Sequence, residues 1–182
     1  MDRALIKRAQ GGDRDAYAEV ATQSSHRLYA VALRVLRDPD AASDALQAAL
    51  VRIWRDLPTL RDPDLFDAWS HRVLQRACSD ARRNSRRSVP SIDIAGIEGH
   101  GGDSQSEVAL RDELERAFAT LSIDQRTVLV LMYYEGLSVA EIAASLGIST
   151  GTVKSRLYGA RNAMRAAIDA DSRLQVRAER PA

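Results

Sequence analysis

Apolar residues recur every three to four positions along most of the chain, which is the spacing of one face of an α-helix. No stretch alternates apolar and polar residues in the way that a half-buried strand does. The pattern therefore predicts an all-α fold. The predicted helices cover residues 2–10, 13–37, 39–56 and 63–84 in the first half, and 107–120, 122–134, 138–146 and 150 to about 169 in the second.

Helix-breaking segments separate these elements. Asp38-Pro39 and Asp62-Pro63 each place an N-cap carboxylate before a proline at the first helical position, where the missing N–H is not needed. Residues 88–106 instead hold one proline and four glycines among polar residues, which is too polar and glycine-rich for a core. This stretch is predicted to be a linker.

The linker divides the chain into two small helical domains. With 182 residues in total, each domain is close to the lower size limit for a core of its own. The predicted order is a helical domain, a flexible acidic linker, a helix-turn-helix domain and a frayed tail. Their residues are 1–87, 88–106, 107–170 and 171–182.

The helix-turn-helix prediction rests on the signals around the last two helices. Ser138 and Glu141 form a capping box, which satisfies two backbone donors at the start of the first helix. Gly147 ends that helix, and Ser149 can cap a second helix that begins at Thr150. In this motif the second helix usually enters the major groove of DNA.

The second helix has one apolar stripe and one polar face. At 100° per residue, Val153, Leu157 and Ala160 fall together, and the residues opposite them are small or medium polar side chains flanked by cations. Residues 150–165 hold four cations and no acid, whereas an ordinary solvated face mixes both signs. We predict contacts with duplex DNA from Thr150, Thr152, Lys154, Ser155, Arg156, Tyr158 and Arg161.

The formal net charge of +1 hides a strong segregation of charge. Residues 69–87 hold six arginines and one acid, and residues 88–115 hold seven acids and one arginine. Together with the basic helix at 150–165, this pattern indicates two cationic surfaces separated by an anionic segment. Such a pattern favours contact with a polyanion at two places.

Composition argues against several other classes of function. The single cysteine, Cys78, excludes an internal disulfide, and a buried apolar filler is a more typical role for it than a reactive thiol. The three histidines are scattered, and no phosphate-binding glycine motif occurs. No apolar run is long enough for a membrane span, and the first residues lack a secretory signal. We expect a cytoplasmic non-enzyme with no cofactor, no metal and no membrane insertion.

The stretch from Leu121 to Met164 closely resembles the C-terminal domain of the extracytoplasmic-function (ECF) sigma factors of bacterial RNA polymerase, a branch of the sigma-70 family. The strings EGLS-x-x-EIA and GTVKSRL carry the resemblance. It implies that this domain recognises the −35 element of promoters.

The first four helices resemble the N-terminal domain of the same family, which binds core RNA polymerase and captures the −10 element as single-stranded DNA. Ala48 and Leu50 depart from the family pattern, as does Gln75-Arg76. The resemblance implies polymerase contacts by Asp44, Gln47 and Arg52. An opened strand needs cations along its backbone and flat side chains or pockets for its unstacked bases, so contacts with the −10 element are predicted for Arg61, Trp69, Arg72, Arg76, Arg82, Arg83, Arg86 and Arg87.

Two alternatives stay open at this stage. Trp69 can stack on an unpaired base or fill the core, with even weight on each, whereas Trp54 is predicted to be a core residue. The acids of the linker can follow the RNA exit path of the polymerase, as the resemblance implies, or can simply keep a tether solvated.

The function that these observations predict is that of a promoter-specificity subunit. The expected partners are core RNA polymerase, promoter DNA that is duplex at −35 and single-stranded at −10, and, as a candidate, an anti-sigma protein. The rival functions are an autonomous repressor or activator, an antagonist of the polymerase and a nucleic-acid enzyme. The last of these lacks the residue clusters that it would need.

Overall fold

The computed structural model describes residues 1–85 and 105–178, with side chains described for 1–83 and 109–170. The described residues form α-helices and two short 3-10 turns. The helices are α1 (Arg3–Gln10), α2 (Arg14–Leu36), α3 (Pro39–Asp56), α4 (Phe66–Ser85), α5 (Gln105–Ala119), α6 (Ile123–Tyr133), α7 (Val139–Leu146) and α8 (Thr150–Ala178); the turns are Leu57–Thr59 and Pro63–Leu65.

Local capping explains where these helices begin and end. The Asp38 side chain accepts hydrogen bonds at the start of α3 ahead of Pro39, as the sequence predicts. The predicted capping box of Ser138 and Glu141 is present at the start of α7. Gly147 follows α7 with φ of 68°, a left-handed conformation that costs a glycine little.

The first domain packs α1 to α4 around one core. Ile6, Val20, Leu28, Ile53 and Phe66 are enclosed almost completely. Because these residues come from all four helices, the apolar stripes predicted from the sequence meet in one place. This core fixes the outward faces of α3 and α4, on which the predicted polymerase and −10 contacts lie.

The second domain packs α6, α7 and α8 around a smaller core. Val128, Leu131, Ile142 and Val153 lie at its centre, each at most 1% exposed. Thus the stripe of α8 that begins at Val153 is buried, and the opposite face of the helix is directed to solvent.

Three sequence predictions differ from the structure. Trp54 is not a core residue: it is 37% exposed, and its ring packs on Tyr17 with 4.7 Å between centroids. The helix α8 continues to Ala178, so the frayed tail predicted for 171–182 is helical as far as 178. No glycine or proline interrupts residues 166–178, which lets the helix propagate. Residues 105 and 106, predicted as the end of the linker, belong to α5. Residues 86–104 lie outside the described part of the chain.

Cys78 is buried as predicted, with only 1% of its surface exposed. Burial raises the pKa of its thiol from 9.0 to about 12, so the thiol is protonated at neutral pH. This environment is typical of a structural cysteine rather than a reactive one.

The two domains pack against each other. α4 contacts α7 and α2 contacts α6. Val130 of α6 belongs to the core of the first domain, and Phe118 and Ile123 pack on that core. The face of α4 that carries the predicted −10 contacts is therefore partly covered by the second domain.

Candidate nucleic-acid interface

The exposed face of α8 carries the residues that are predicted to contact duplex DNA. Lys154, Ser155 and Tyr158 are exposed, and Tyr158 has 71% of its surface in solvent. An exposed aromatic ring of this size beside a lysine and a hydroxyl offers hydrogen bonding and apolar contact to base edges.

The N-terminus of α8 is held by Ser149. Its Oγ accepts the backbone N–H of Thr152 at 3.0 Å and lies 2.9 Å from Thr152 Oγ1. Thr150 is exposed beside this cap, while Thr152 is half-buried. The cap therefore fixes the first turn of the helix, where recognition helices usually contact bases.

Two predicted phosphate contacts already have partners within the second domain. The Nη2 atom of Arg156 lies 2.7 Å from Asp124 Oδ2, and Nη2 of Arg161 donates to Tyr133 Oη at 2.6 Å. These bonds orient the two guanidinium groups on the flanks of α8. Their contacts with DNA stay predictions.

Eight residues of the first domain are predicted to contact the −10 element, and the structure describes the side chains of six of them. Arg61, Arg76 and Arg82 are exposed, and Arg83 pairs with Asp80 on the same helix. Arg86 and Arg87 lie outside the described residues. The exposed arginines give α4 the cationic surface that a single-stranded backbone requires.

Trp69 lies between its two predicted roles. Its side chain is half-buried, packs on the core of the first domain and lies 6.2 Å from the ring of Phe66 between centroids. The packing accounts for part of the ring, and the remaining edge can still meet a base.

Arg72 is the predicted −10 residue whose surroundings differ most from expectation. Its Nε donates to the carbonyl of Ser145 at 3.1 Å, and Nη2 donates to that of Ala144 at 2.5 Å. Its guanidinium also packs beside Gly147. In this arrangement Arg72 binds the end of α7, in the helix-turn-helix, instead of facing open solvent.

The predicted polymerase contacts lie on α3. Asp44 and Gln47 are exposed, which suits a docking role. Arg52 is half-buried, and its Nη2 lies 2.6 Å from Asp80 Oδ2. The hydrogen bond from Arg52 holds the pKa of Asp80 below its ordinary value, so the pair joins α3 to α4.

Further polar groups at the domain contact were not predicted from the sequence. His71 is 4% exposed, and its Nε2 lies 3.5 Å from Oε2 of the nearly buried Glu135. Arg126 is 2% exposed. Arg126 does fall on the α6 face shared by Ile123 and Val130, so helical periodicity could have placed it on a packed face.

A large apolar groove lies beside the domain contact. It has a volume of about 970 Å³ and is lined by α2, α5, α6 and α8. Leu110 and Leu114 of α5 remain 54% and 41% exposed there. The arginines around the groove are Arg34, Arg37, Arg111 and Arg161.

The described part of the chain holds no group of three or more metal-ligating side chains. No helix within the described ranges combines the length and the apolar character that crossing a membrane requires.

Comparison with known proteins identifies both halves of the chain. Residues 21–88 match the family model for Sigma-70 region 2, and residues 111–164 match that for Sigma-70, region 4. The ECF RNA polymerase sigma factor SigM of Mycobacterium tuberculosis is 30% identical over 162 residues, covering 88% of this chain and 81% of the relative. The RNA polymerase sigma-H factor of Pseudomonas aeruginosa is 29% identical over 177 residues, covering 90% and 92%.

A solved structure agrees with these matches. CnrH, in complex with the cytosolic domain of CnrY, is 26% identical, with a TM-score of 0.64 over 93% of this chain and 98% of the other. The all-α fold and the family resemblance are thereby confirmed. The chain belongs to the ECF branch of the sigma-70 family, as a promoter-recognition sigma subunit that binds core RNA polymerase.

Proposed function

We propose that α8 recognises the −35 duplex through Lys154, Ser155 and Tyr158, together with Thr150 and Thr152 at its start. The single observation that supports this most strongly is the exposed polar face of α8 opposite a buried stripe. Arg156 and Arg161 flank the face and serve the phosphates on either side, since phosphate contacts set the register of a recognition helix.

We propose that α4 holds the −10 element and that α3 docks on the polymerase. Arg76 and Arg82 are exposed on α4 and can follow a single-stranded backbone, and Asp44 and Gln47 are exposed on α3. The protein has no catalytic role in this proposal, because the polymerase carries out the phosphodiester chemistry. Its place of action is the cytoplasm, where promoter DNA lies.

This function requires the two domains to separate. The −35 and −10 elements are about 25 base pairs apart, or roughly 85 Å at 3.4 Å per pair. A compact chain of this length has a radius of gyration of only about 16 Å. The packed arrangement cannot place α8 and α4 on both elements at once, so we propose that it opens when the promoter and the polymerase are bound.

The polar groups at the domain contact support such an opening. Every buried side-chain nitrogen or oxygen without a hydrogen-bond partner in the described residues belongs to α4, α6 or α7: His71, Arg126, Thr127 and Ser145. Each such group costs about 1–3 kcal/mol when shut away from water. Separation of the domains would return these atoms to solvent and recover part of that cost.

Lys154→Ala tests the −35 proposal. If Lys154 contacts a base edge, we expect the variant to lose about 1–3 kcal/mol of binding to the preferred duplex and little to unrelated DNA. A purely phosphate contact would give a smaller loss for all sequences and a shallower salt dependence. Binding is measured by fluorescence anisotropy on duplexes selected by transcription with core polymerase.

The matched control is Lys7→Ala, since Lys7 is the only other lysine of the chain and lies exposed on α1. It should bind the selected duplex like the unchanged protein. Equal binding by both variants would remove Lys154 from the interface. Failure of the unchanged protein to direct core polymerase to specific start sites would overturn the proposed function as a whole.

We propose that the groove beside the domain contact receives an acidic amphipathic helix of an anti-sigma protein. The groove offers an apolar floor with arginines around it, which complements leucines and carboxylates on one helix. The similar protein CnrH was solved in complex with the cytosolic domain of CnrY, which supports a protein partner for this chain.

Leu114→Glu tests the groove, because it places a carboxylate on the apolar floor at an exposed position. A synthetic helical peptide with a leucine stripe and glutamates should bind the unchanged protein, and the variant should bind at least about tenfold more weakly. Val51→Glu on the exposed surface of α3 is the matched control. An equal loss in both variants, or no binding by the unchanged protein, would contradict the proposal.

A further inference from the structure

His71 and Glu135 bring two titratable side chains together where the domains meet. His71 lies on α4 and is 4% exposed, and Glu135 follows α6 with 9% of its side chain exposed. The Nε2 atom of His71 lies 3.5 Å from Oε2 of Glu135. Neither ring nitrogen of His71 has a hydrogen-bond partner among the described residues, so this contact depends on charge. It is an ion pair only when the imidazole is protonated.

The backbone holds Glu135 at this position. Its N–H donates to the carbonyl of Val130 at 3.2 Å, and Val130 belongs to the core of the first domain. The neighbouring Tyr134 also contacts the first domain, because Cζ of Arg34 on α2 lies 3.7 Å from the centroid of its ring. The turn after α6 is thus fixed against the first domain, which places the carboxylate of Glu135 beside His71.

The other cation beside Glu135 is shared with a second carboxylate. The Nε atom of Arg27 on α2 lies 4.0 Å from Oε2 of Glu135, while its Nη2 donates to Asp67 of α4. Burial opposes the ionisation of Asp67, but the hydrogen bond and the charge of Arg27 hold its pKa below the ordinary value. Asp67 is therefore charged at neutral pH and keeps Arg27 engaged. When the imidazole is neutral, the nearly buried Glu135 depends on this divided cation.

Other charged groups near α4 make their contacts elsewhere. The amino group of Met1 lies 3.2 Å from Oδ2 of Asp67, and this contact is inside the first domain. The others contact groups other than His71: the carbonyls at the end of α7 for Arg72, the N–H of Ser138 for Glu141, Asp80 for Arg52, and Arg156 for Asp124. Of these side-chain types, only histidine ordinarily changes its charge between about pH 5 and pH 8.

We propose that His71 and Glu135 form a pH-sensitive latch between the two domains, an inference that rests on the proposed opening. A protonated imidazole pairs with the carboxylate across the contact and favours the packed arrangement. A neutral imidazole loses this pair, and its enclosed nitrogens return to water when the domains separate. Because the packed form binds the extra proton, packing is favoured at low pH and is lost as the pH rises.

The radius of gyration of the full chain tests the latch. Small-angle X-ray scattering at constant ionic strength should show a larger radius at about pH 8 than at about pH 5, with the ratio of packed to open molecules lower by about tenfold. His71→Gln keeps a polar side chain and removes the titration, so its radius should not depend on pH. His26→Gln is the matched control, because His26 is exposed on α2 and its loss should leave the pH dependence unchanged.

Glu135→Gln separates the ion pair from a general effect of His71 on folding. It should abolish the pH dependence while His71 is still present, and His71→Gln should then add nothing. Circular dichroism checks that each variant keeps its helices, and Glu135→Gln carries the test by itself if His71→Gln does not fold. A pH dependence that survives in either folded variant, or that disappears in His26→Gln, would overturn the latch.

Arg72→Ala distinguishes failure of the latch from failure of the opening. Its two hydrogen bonds join the same domains through an arginine, which stays charged throughout this pH range. A chain that expands in Arg72→Ala but not with rising pH would refute the latch alone. A chain that expands in neither case would refute the proposed opening as well.

Discussion

Replacement of Ile142 by alanine should lower the free energy of unfolding of the second domain by about 2–5 kcal/mol. Ile142 is fully enclosed among Val128, Leu131 and Val153, so the shortened side chain leaves a cavity between the two helices of the motif. A loss of this size is a large part of the 5–15 kcal/mol that typical domains possess. Binding to the −35 duplex should fall with the population of folded α8.

Urea denaturation followed by circular dichroism measures this effect. Both tryptophans, Trp54 and Trp69, lie in the first domain, so their fluorescence follows that domain separately. We expect the urea midpoint measured by fluorescence to fall less than the midpoint measured by circular dichroism. Leu110→Ala, at a 54% exposed leucine of α5, should change stability by no more than about 0.5 kcal/mol. A similar small change for Ile142→Ala would contradict the core position of that residue.

Arg72→Ala should weaken the packing of the two domains and the capture of the −10 strand together. The variant removes two hydrogen bonds to the end of α7, and bonds of a charged donor contribute about 1.5–3 kcal/mol. At 1.4 kcal/mol per factor of ten, the ratio of packed to open molecules should fall at least about tenfold. Small-angle X-ray scattering should show a larger radius of gyration, and anisotropy should show weaker binding to a −10 oligonucleotide.

Arg76→Ala separates these two effects. Arg76 lies on the same helix and is exposed, so its loss should weaken oligonucleotide binding without a change in the radius of gyration. An unchanged radius for Arg72→Ala would show that its bonds to α7 do not hold the domains together. Because opening also uncovers α4, tighter oligonucleotide binding by Arg72→Ala than by the unchanged protein would remove Arg72 from the −10 surface.

The helices and their caps were predictable because their signals are local. Asp38-Pro39 begins α3, the capping box at Ser138 begins α7 and Gly147 ends it, as the sequence indicates. The apolar stripe of α8 was predictable for the same reason, since helical periodicity depends only on residues that are a few positions apart in the sequence. The exposed face that we propose as the −35 surface follows from that stripe.

The contact between the domains was not predictable from local patterns. Arg72 was expected to face DNA, but its bonds to α7 join residues that are 72 and 73 positions apart. Trp54 was expected in the core by the average behaviour of tryptophan, yet it packs on Tyr17 at the surface. Both outcomes depend on which faces meet in three dimensions, and a helical period in one segment carries no information about that.

Asp124 connects α4 and α8 through one carboxylate. Its Oδ1 accepts from Gln75 of α4 at 3.2 Å, and its Oδ2 holds Arg156 of α8 at 2.7 Å. When the domains part, Gln75 leaves and the carboxylate is free to rotate toward Arg156 alone. On the proposal that α8 meets the −35 element and α4 the −10 element, Asp124 joins the two contacts, because the carboxylate that pairs with Arg156 is also held by α4 until the domains separate.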